Sequence, residues 1–225
     1  MGLGRSLIFG VTTLLAAAPA SAGDDFQQWL TVSARGEVAP KVVLQTEGIA
    51  RFSEDRGGLY QLQGIAHLGY EIRKGIIVWA GYVQSHEYRD GDLTVERRIR
   101  EQITFDNIAK IGRASLSARV RLEQRWRDIA PGTAWRIRPQ LRLSIPLGDK
   151  TAPSLQLSEE GFFNLNEATF QASEGLERSR TAAVISIPLS PAVRGDIGYL
   201  NQHRFVRDGP DSDEHALTLA LGFAF

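Results

Sequence analysis

Four histidines, His67, His86, His203 and His215, carry the side chains suited to proton transfer near neutral pH, and arginines at every second position could hold anions. A hydrolytic site needs a base within hydrogen-bond reach of a nucleophile, and a third group to orient that base. His67 shares its side of an alternating run with Gln61, Gln63 and Glu71, which offer it no hydroxyl or thiol to activate. His86 follows Ser85, and adjacent residues on a strand point to opposite faces. His203 and His215 face each other across the last connection. Metal-ligand spacing and a phosphate-binding glycine loop are also missing, so no catalytic residue, metal or cofactor is expected. A lipid-modifying barrel with an outward histidine is the enzymatic alternative, and a surface-binding barrel acting through its loops is the other.

The arginines say more, because of what alternates with them. Between Ser115 and Arg127, the row Arg119, Arg121, Glu123 and Arg125 alternates with Leu116, Ala118, Val120, Leu122 and Trp126. In the next run Arg136, Arg138, Gln140 and Arg142 alternate with Trp135, Ile137, Pro139, Leu141 and Leu143. Period two makes these strands with one charged and one apolar face. On a soluble sheet the charged rows would be a solvated outer face; in a lipid barrel they line a polar lumen while the apolar rows meet lipid. The runs are much longer than the usual strand of about five or six residues and match the roughly 9 to 11 residues of a tilted membrane strand. The lipid barrel is therefore the expected fold.

The rest of the chain fits it. Residues 1–22 read as a signal peptide: Arg5 is followed by the apolar run Leu7 to Ala18 and the small-x-small site Ala20-Ser21-Ala22. That run falls short of the roughly 20 residues a membrane helix needs. Residues 23–225 then form one β-barrel domain. There is no cysteine, and no later segment is an unbroken apolar run of membrane-helix length, so a membrane-spanning structure has to be a closed sheet. Eleven alternating runs can be counted from Phe26 onward. Single-chain bacterial barrels have an even number of strands, so ten or twelve antiparallel, up-and-down strands are expected, with twelve favoured. The weakest run follows Phe26, with Trp29 as its main lipid-facing candidate. Arg97 and Glu101 stand out because they fall on the apolar side of their run.

Several short pieces carry a family resemblance: Trp29, Glu47 with Arg51, Gly81-Tyr82, Glu96-Arg97-Arg98, the row Arg119 to Arg125, Arg138, Glu160-Gly161-Phe162-Phe163-Asn164, Arg180 and Gly198-Tyr199. Together they resemble a bacterial family of outer-membrane barrels catalogued as domain of unknown function 2490. The resemblance implies a barrel in the outer membrane and brings no activity with it. The terminal Leu221-Gly222-Phe223-Ala224-Phe225 looks like the C-terminal signal read by the barrel-assembly machinery, with Leu221, Phe223 and Phe225 as its bulky positions.

Alternation places Glu47, Glu96, Arg98, Arg100, Arg119, Arg121, Glu123, Arg125, Arg136, Arg138, Arg142, Glu160, Arg178 and Arg180 in the lumen. Basic residues exceed acidic ones there, although the whole chain has a formal net charge of zero. Two readings follow. Arginine–carboxylate pairs could plug the lumen and brace its wall, or the guanidinium rows could line a narrow, anion-preferring path. The expected role is therefore structural or a solute path, in a monomer whose partners are outer-membrane lipid and the assembly machinery rather than nucleic acid.

Overall fold

In the computed structural model, which describes residues 25–89, 91–149, 151–171, 173–207 and 209–225, the chain is a closed β-barrel. Its strands are β1 (Asp25–Ala39), β2 (Val42–Ser53), β3 (Gly58–Arg73), β4 (Ile76–Arg89), β5 (Asp92–Ile111), β6 (Ala114–Arg127), β7 (Ala130–Pro146), β8 (Ser154–Asn164), β9 (Gly175–Ser190), β10 (Val193–Arg204) and β11 (Ser212–Ala224). Each pairs with its neighbours in sequence, and β1 closes the ring against β11. The expected signal peptide lies outside the described residues.

The expectation of an even strand number is corrected by this ring, which has eleven strands. The run after Phe26 is a full strand of 15 residues, neither partial nor accompanied by a missed partner. An odd meander leaves its first and last strands running the same way. The closing pair is accordingly parallel, from Asp25 opposite Glu214 to Arg35 opposite Ala224, while every other pair is antiparallel. Parallel ladders are slightly weaker per residue, so β1–β11 is the softer seam of the wall.

Burial follows the two-residue period. In β5, Glu96, Arg98 and Arg100 are buried while Arg97, Ile99 and Glu101 are exposed. Arg97 and Glu101 thus do face outward among apolar neighbours, and Glu101 accepts a hydrogen bond from Gln124 Nε2 at 3.3 Å. In β11, Leu217, Leu219, Leu221 and Phe223 are exposed on the outside while Ala216 is buried. The two sides of the barrel differ inside. Strands β5–β7 turn long arginines inward and β9 adds Arg178 and Arg180 at one end, whereas from Ala182 onward β9–β11 turn in Ala182, Val184, Gly198, Leu200, Ala216 and Gly222. Large side chains on one wall and small ones on the other leave the interior partly unfilled.

One glycine is needed to build the charged wall. His67 on β3 lies against Gly81 on β4, where a methyl group would stand 2.0 Å from His67 Cδ2 and 2.8 Å from the Ala66 carbonyl oxygen. The ring edge also meets Trp79, with centroids 6.4 Å apart. Overpacking of this kind costs about 1–3 kcal/mol. Gly81→Ala should lower unfolding stability by that amount in a urea titration followed by tryptophan fluorescence; a variant as stable as the wild type would show that His67 has another place to go.

Candidate functional site

The antiparallel register of β5, β6 and β7 sets the inward rows side by side: Arg98 opposite Arg125, Arg100 opposite Glu123, Glu123 opposite Arg136, and Arg121 opposite Arg138. Like charges directly opposite one another are unfavourable unless something neutralises them. Three buried carboxylates do part of that work. Glu96 holds Arg98 at 2.5 Å, Arg125 through both carboxylate oxygens at 3.0 Å, and Arg127 at 2.6 Å. Glu123 holds Arg100 at 2.8 Å, Arg136 at 2.6 Å and Arg138 at 3.0 Å. Glu160 on β8 takes the other side of Arg138 at 2.8 Å, bonds Arg119, and lies 3.7 Å from Arg180. These ion pairs form two clusters, one around Glu96 and one in which Arg138 links Glu123 to Glu160; with Glu87 at 3.4 Å from Arg127, and Glu177 at 3.6 Å from Arg136 and 2.5 Å from Arg178, nine guanidiniums meet five carboxylates, a surplus of four positive charges.

Other guanidiniums have no carboxylate partner among the described residues. Arg121 is buried, donates from Nε to Gln102 at 2.8 Å and otherwise faces the lumen. Arg142 lines the same space without an ion pair. Arg51 lies over the Trp29 ring, its guanidinium carbon 3.7 Å from the centroid, and Arg180 also stacks on that ring, at 4.8 Å. Phe162 is approached by Arg136, Arg138, Arg178 and Arg180 at 4.2–5.5 Å. Stacking on aromatic faces keeps guanidinium edges free to donate.

These groups border a cavity of about 890 Å³. It reaches the barrel rim at Asp55 and Arg56 of the β2–β3 turn and at Phe170 of the β8–β9 connection, and descends to Arg142, Ser158 and Val184. Fifteen of the residues lining it are arginine and six are Asp or Glu. Every lumen residue expected from the sequence lies on an inward face. Glu47, Arg98, Arg100, Arg119, Arg121, Arg125, Arg136, Arg138, Arg142, Glu160, Arg178 and Arg180 line the cavity, and Glu96 and Glu123 are fully buried behind the arginines they hold. Trp29 is a correction: it is 7% exposed and faces the lumen, not lipid, because its indole N–H donates to Gln27 and its ring is the platform for Arg51. Phe162 and Gln102 are site residues that the sequence reading does not single out, although the inward parity of Glu160 and Arg100 marks their positions.

The histidines are not assembled into a catalytic set. His67 is buried beside Gly81; His86 meets Gln84 on the outer face; His203 lies between Asp211 and Asp213; and His215 meets the Tyr199 hydroxyl at 2.5 Å. Among the described residues no serine or threonine hydroxyl bonds a histidine, and no cluster of His, Asp and Glu has the makings of a metal site.

A family model described as a protein of unknown function, DUF2490, matches residues 26–213, nearly the whole barrel. The chain belongs to this family. An uncharacterized protein of Methylorubrum extorquens is 27% identical to this DUF2490 chain, with 96% of each covered. Among solved structures, the barrel is similar to an anion-selective porin from Comamonas acidovorans at a TM-score of 0.35 and 12% identity. That match covers 79% of this chain and 55% of the porin, so this DUF2490 barrel spans little more than half the porin's length.

Proposed function

We propose that this DUF2490 protein is an outer-membrane barrel whose lumen offers a narrow, anion-preferring solute path, braced by its own ion-pair network. The observation that carries the reading is the surplus of guanidiniums over carboxylates around the cavity. In a low-dielectric wall such a surplus favours anions and excludes cations, as rings of arginine do in anion pores. The three carboxylates have the complementary, structural role of holding the arginine rows in register.

Several features support the membrane location. The outer surface presents bulky apolar residues, strands of 11–20 residues are long enough to cross a bilayer at a tilt, and the N-terminal segment reads as an export signal. The terminal row Leu221, Phe223 and Phe225 on the outer face is where the assembly machinery would engage the chain, leaving the C-terminus in the periplasm and the β8–β9 connection outside. Lipid is then the main partner of the outer surface, and the barrel acts as a monomer without a reaction of its own.

Proteoliposomes test the path. Those containing the purified protein should swell faster in a small organic anion than in a neutral or cationic solute of equal size, and equal rates for all three would contradict the anion preference.

A further inference from the structure

Two of the lumen guanidiniums meet at one ring. Trp29 on β1 packs against Ala182, Leu200 and Ala216 of β9–β11, which leaves the lumen side of its indole to other groups. Arg51, directly opposite Trp29 on β2, has its guanidinium carbon 3.7 Å from the ring centroid. Arg180 reaches the same ring from β9 at 4.8 Å and donates to Gln202 Oε1 at 2.5 Å. The acids around this pair are engaged elsewhere. Glu160 lies 3.7 Å from Arg180 but bonds Arg119 and Arg138 more closely. Glu214 pairs with Arg56 at 3.2 Å and lies 3.7 Å from Arg204, and Glu47, on the inward row of Arg51, accepts from Gln45 at 2.6 Å. The neutral Tyr60 hydroxyl lies beside Arg51 and donates to Gln27 at 2.7 Å. Among the described residues no carboxylate pairs with Arg51, and the Nε atoms of both Arg51 and Arg180 are buried without a hydrogen-bond partner.

We infer that Trp29, Arg51 and Arg180 form a subsite for a doubly charged tetrahedral oxyanion, free or as the phosphoryl end of an ester. The inference rests on the anion-preferring reading and gives the path one specific station. Two guanidiniums at one ring repel each other unless an anion comes between them. Chloride or a carboxylate brings a single charge, and the two oxygens of a carboxylate fill only one guanidinium fork. A phosphoryl dianion brings two charges and oxygens that point in several directions. Each guanidinium can then donate to oxygens of its own while its face stays on the indole. Both arginines line the cavity, so a solute entering at the rim by Asp55 and Arg56 can reach them.

The test is equilibrium binding to the detergent-purified mature barrel, by calorimetry and tryptophan fluorescence, with inorganic phosphate, glycerol 3-phosphate, sulfate, acetate and chloride as probes. Sulfate and at least one of the two phosphates should bind about tenfold more tightly than acetate or chloride and should change the tryptophan emission. The tighter phosphate tells whether the site is built for a free oxyanion or for an ester. Lowering the pH through the second ionisation of phosphate should weaken phosphate and leave sulfate unchanged, because only phosphate loses a charge. Arg51→Gln should lower phosphate affinity about tenfold, and Arg51→Lys, which keeps the charge but not the planar fork, should lower it nearly as much. Neither variant breaks an ion pair, and heat-modifiable gel mobility checks that both are folded. Trp29→Phe keeps an aromatic platform and should abolish the emission change. Tight phosphate binding without an emission change that depends on Trp29, or an Arg51→Lys barrel that binds phosphate like the wild type, overturns the subsite, since the ligand then sits elsewhere or senses only diffuse charge. Equal affinity for all five anions overturns it too and leaves the anion-preferring reading standing. If no anion binds, both fall.

Discussion

Glu123→Gln should lower the unfolding free energy of the barrel by about 3–5 kcal/mol, the usual cost of removing one partner from a buried ion pair. The carboxylate is 0% exposed and is the meeting point of Arg100 from β5 and of Arg136 and Arg138 from β7, the two strands that flank its own. Glutamine keeps the shape and one acceptor oxygen but not the charge. Arg100 would then stand in a low-dielectric wall facing other arginines, while Arg136 would retain only Glu177 at 3.6 Å and Arg138 only Glu160. Glu159→Gln is the control, since Glu159 faces outward and bonds the Thr181 hydroxyl; it should change stability by less than about 1 kcal/mol. Urea unfolding of both variants in lipid vesicles checks this. A Glu123→Gln barrel within 1 kcal/mol of the wild type would mean that water or ions already neutralise the arginine rows, and the bracing role would be lost.

The contrast between the two kinds of arginine could not be read from the chain. Alternation alone was enough to put Arg119, Arg121, Arg125, Arg136 and Arg138 on one face, because a strand sends every second side chain the same way. The same rule marked the outer row of β11, and it put Arg97 and Glu101 outside, where the barrel keeps them. It says nothing about which arginine meets which acid across strands. That depends on register, and the bulges between Phe105 and Ala109 and between Arg125 and Arg127 shift the ladder in ways that local sequence does not signal. Glu160 reaches back across β7 to bond Arg119 on β6, a pairing between residues distant in sequence. Trp29 was misplaced for a related reason: an aromatic in a lipid barrel suits the membrane interface, and only the approach of Arg51 and Arg180 makes it a lumen residue. The strand count failed differently. The eleven runs were visible, and the general preference for even barrels overrode them, whereas β1 and β11 close the ring in parallel.

The most direct test of the account is the reversal potential of the purified barrel in planar bilayers under a potassium chloride gradient, compared between the wild type and the Arg121→Glu, Arg142→Glu double variant. These two arginines have no carboxylate partner, so reversing them changes lumen charge by four units without dismantling the network around Glu96, Glu123 and Glu160. Selectivity set by lumen charge should follow that change. The wild-type reversal potential should be displaced towards chloride, and in the variant that displacement should shrink to zero or change sign while heat-modifiable gel mobility shows the barrel still folded. A wild type that is silent or prefers potassium, or a folded variant with unchanged chloride preference, would contradict it.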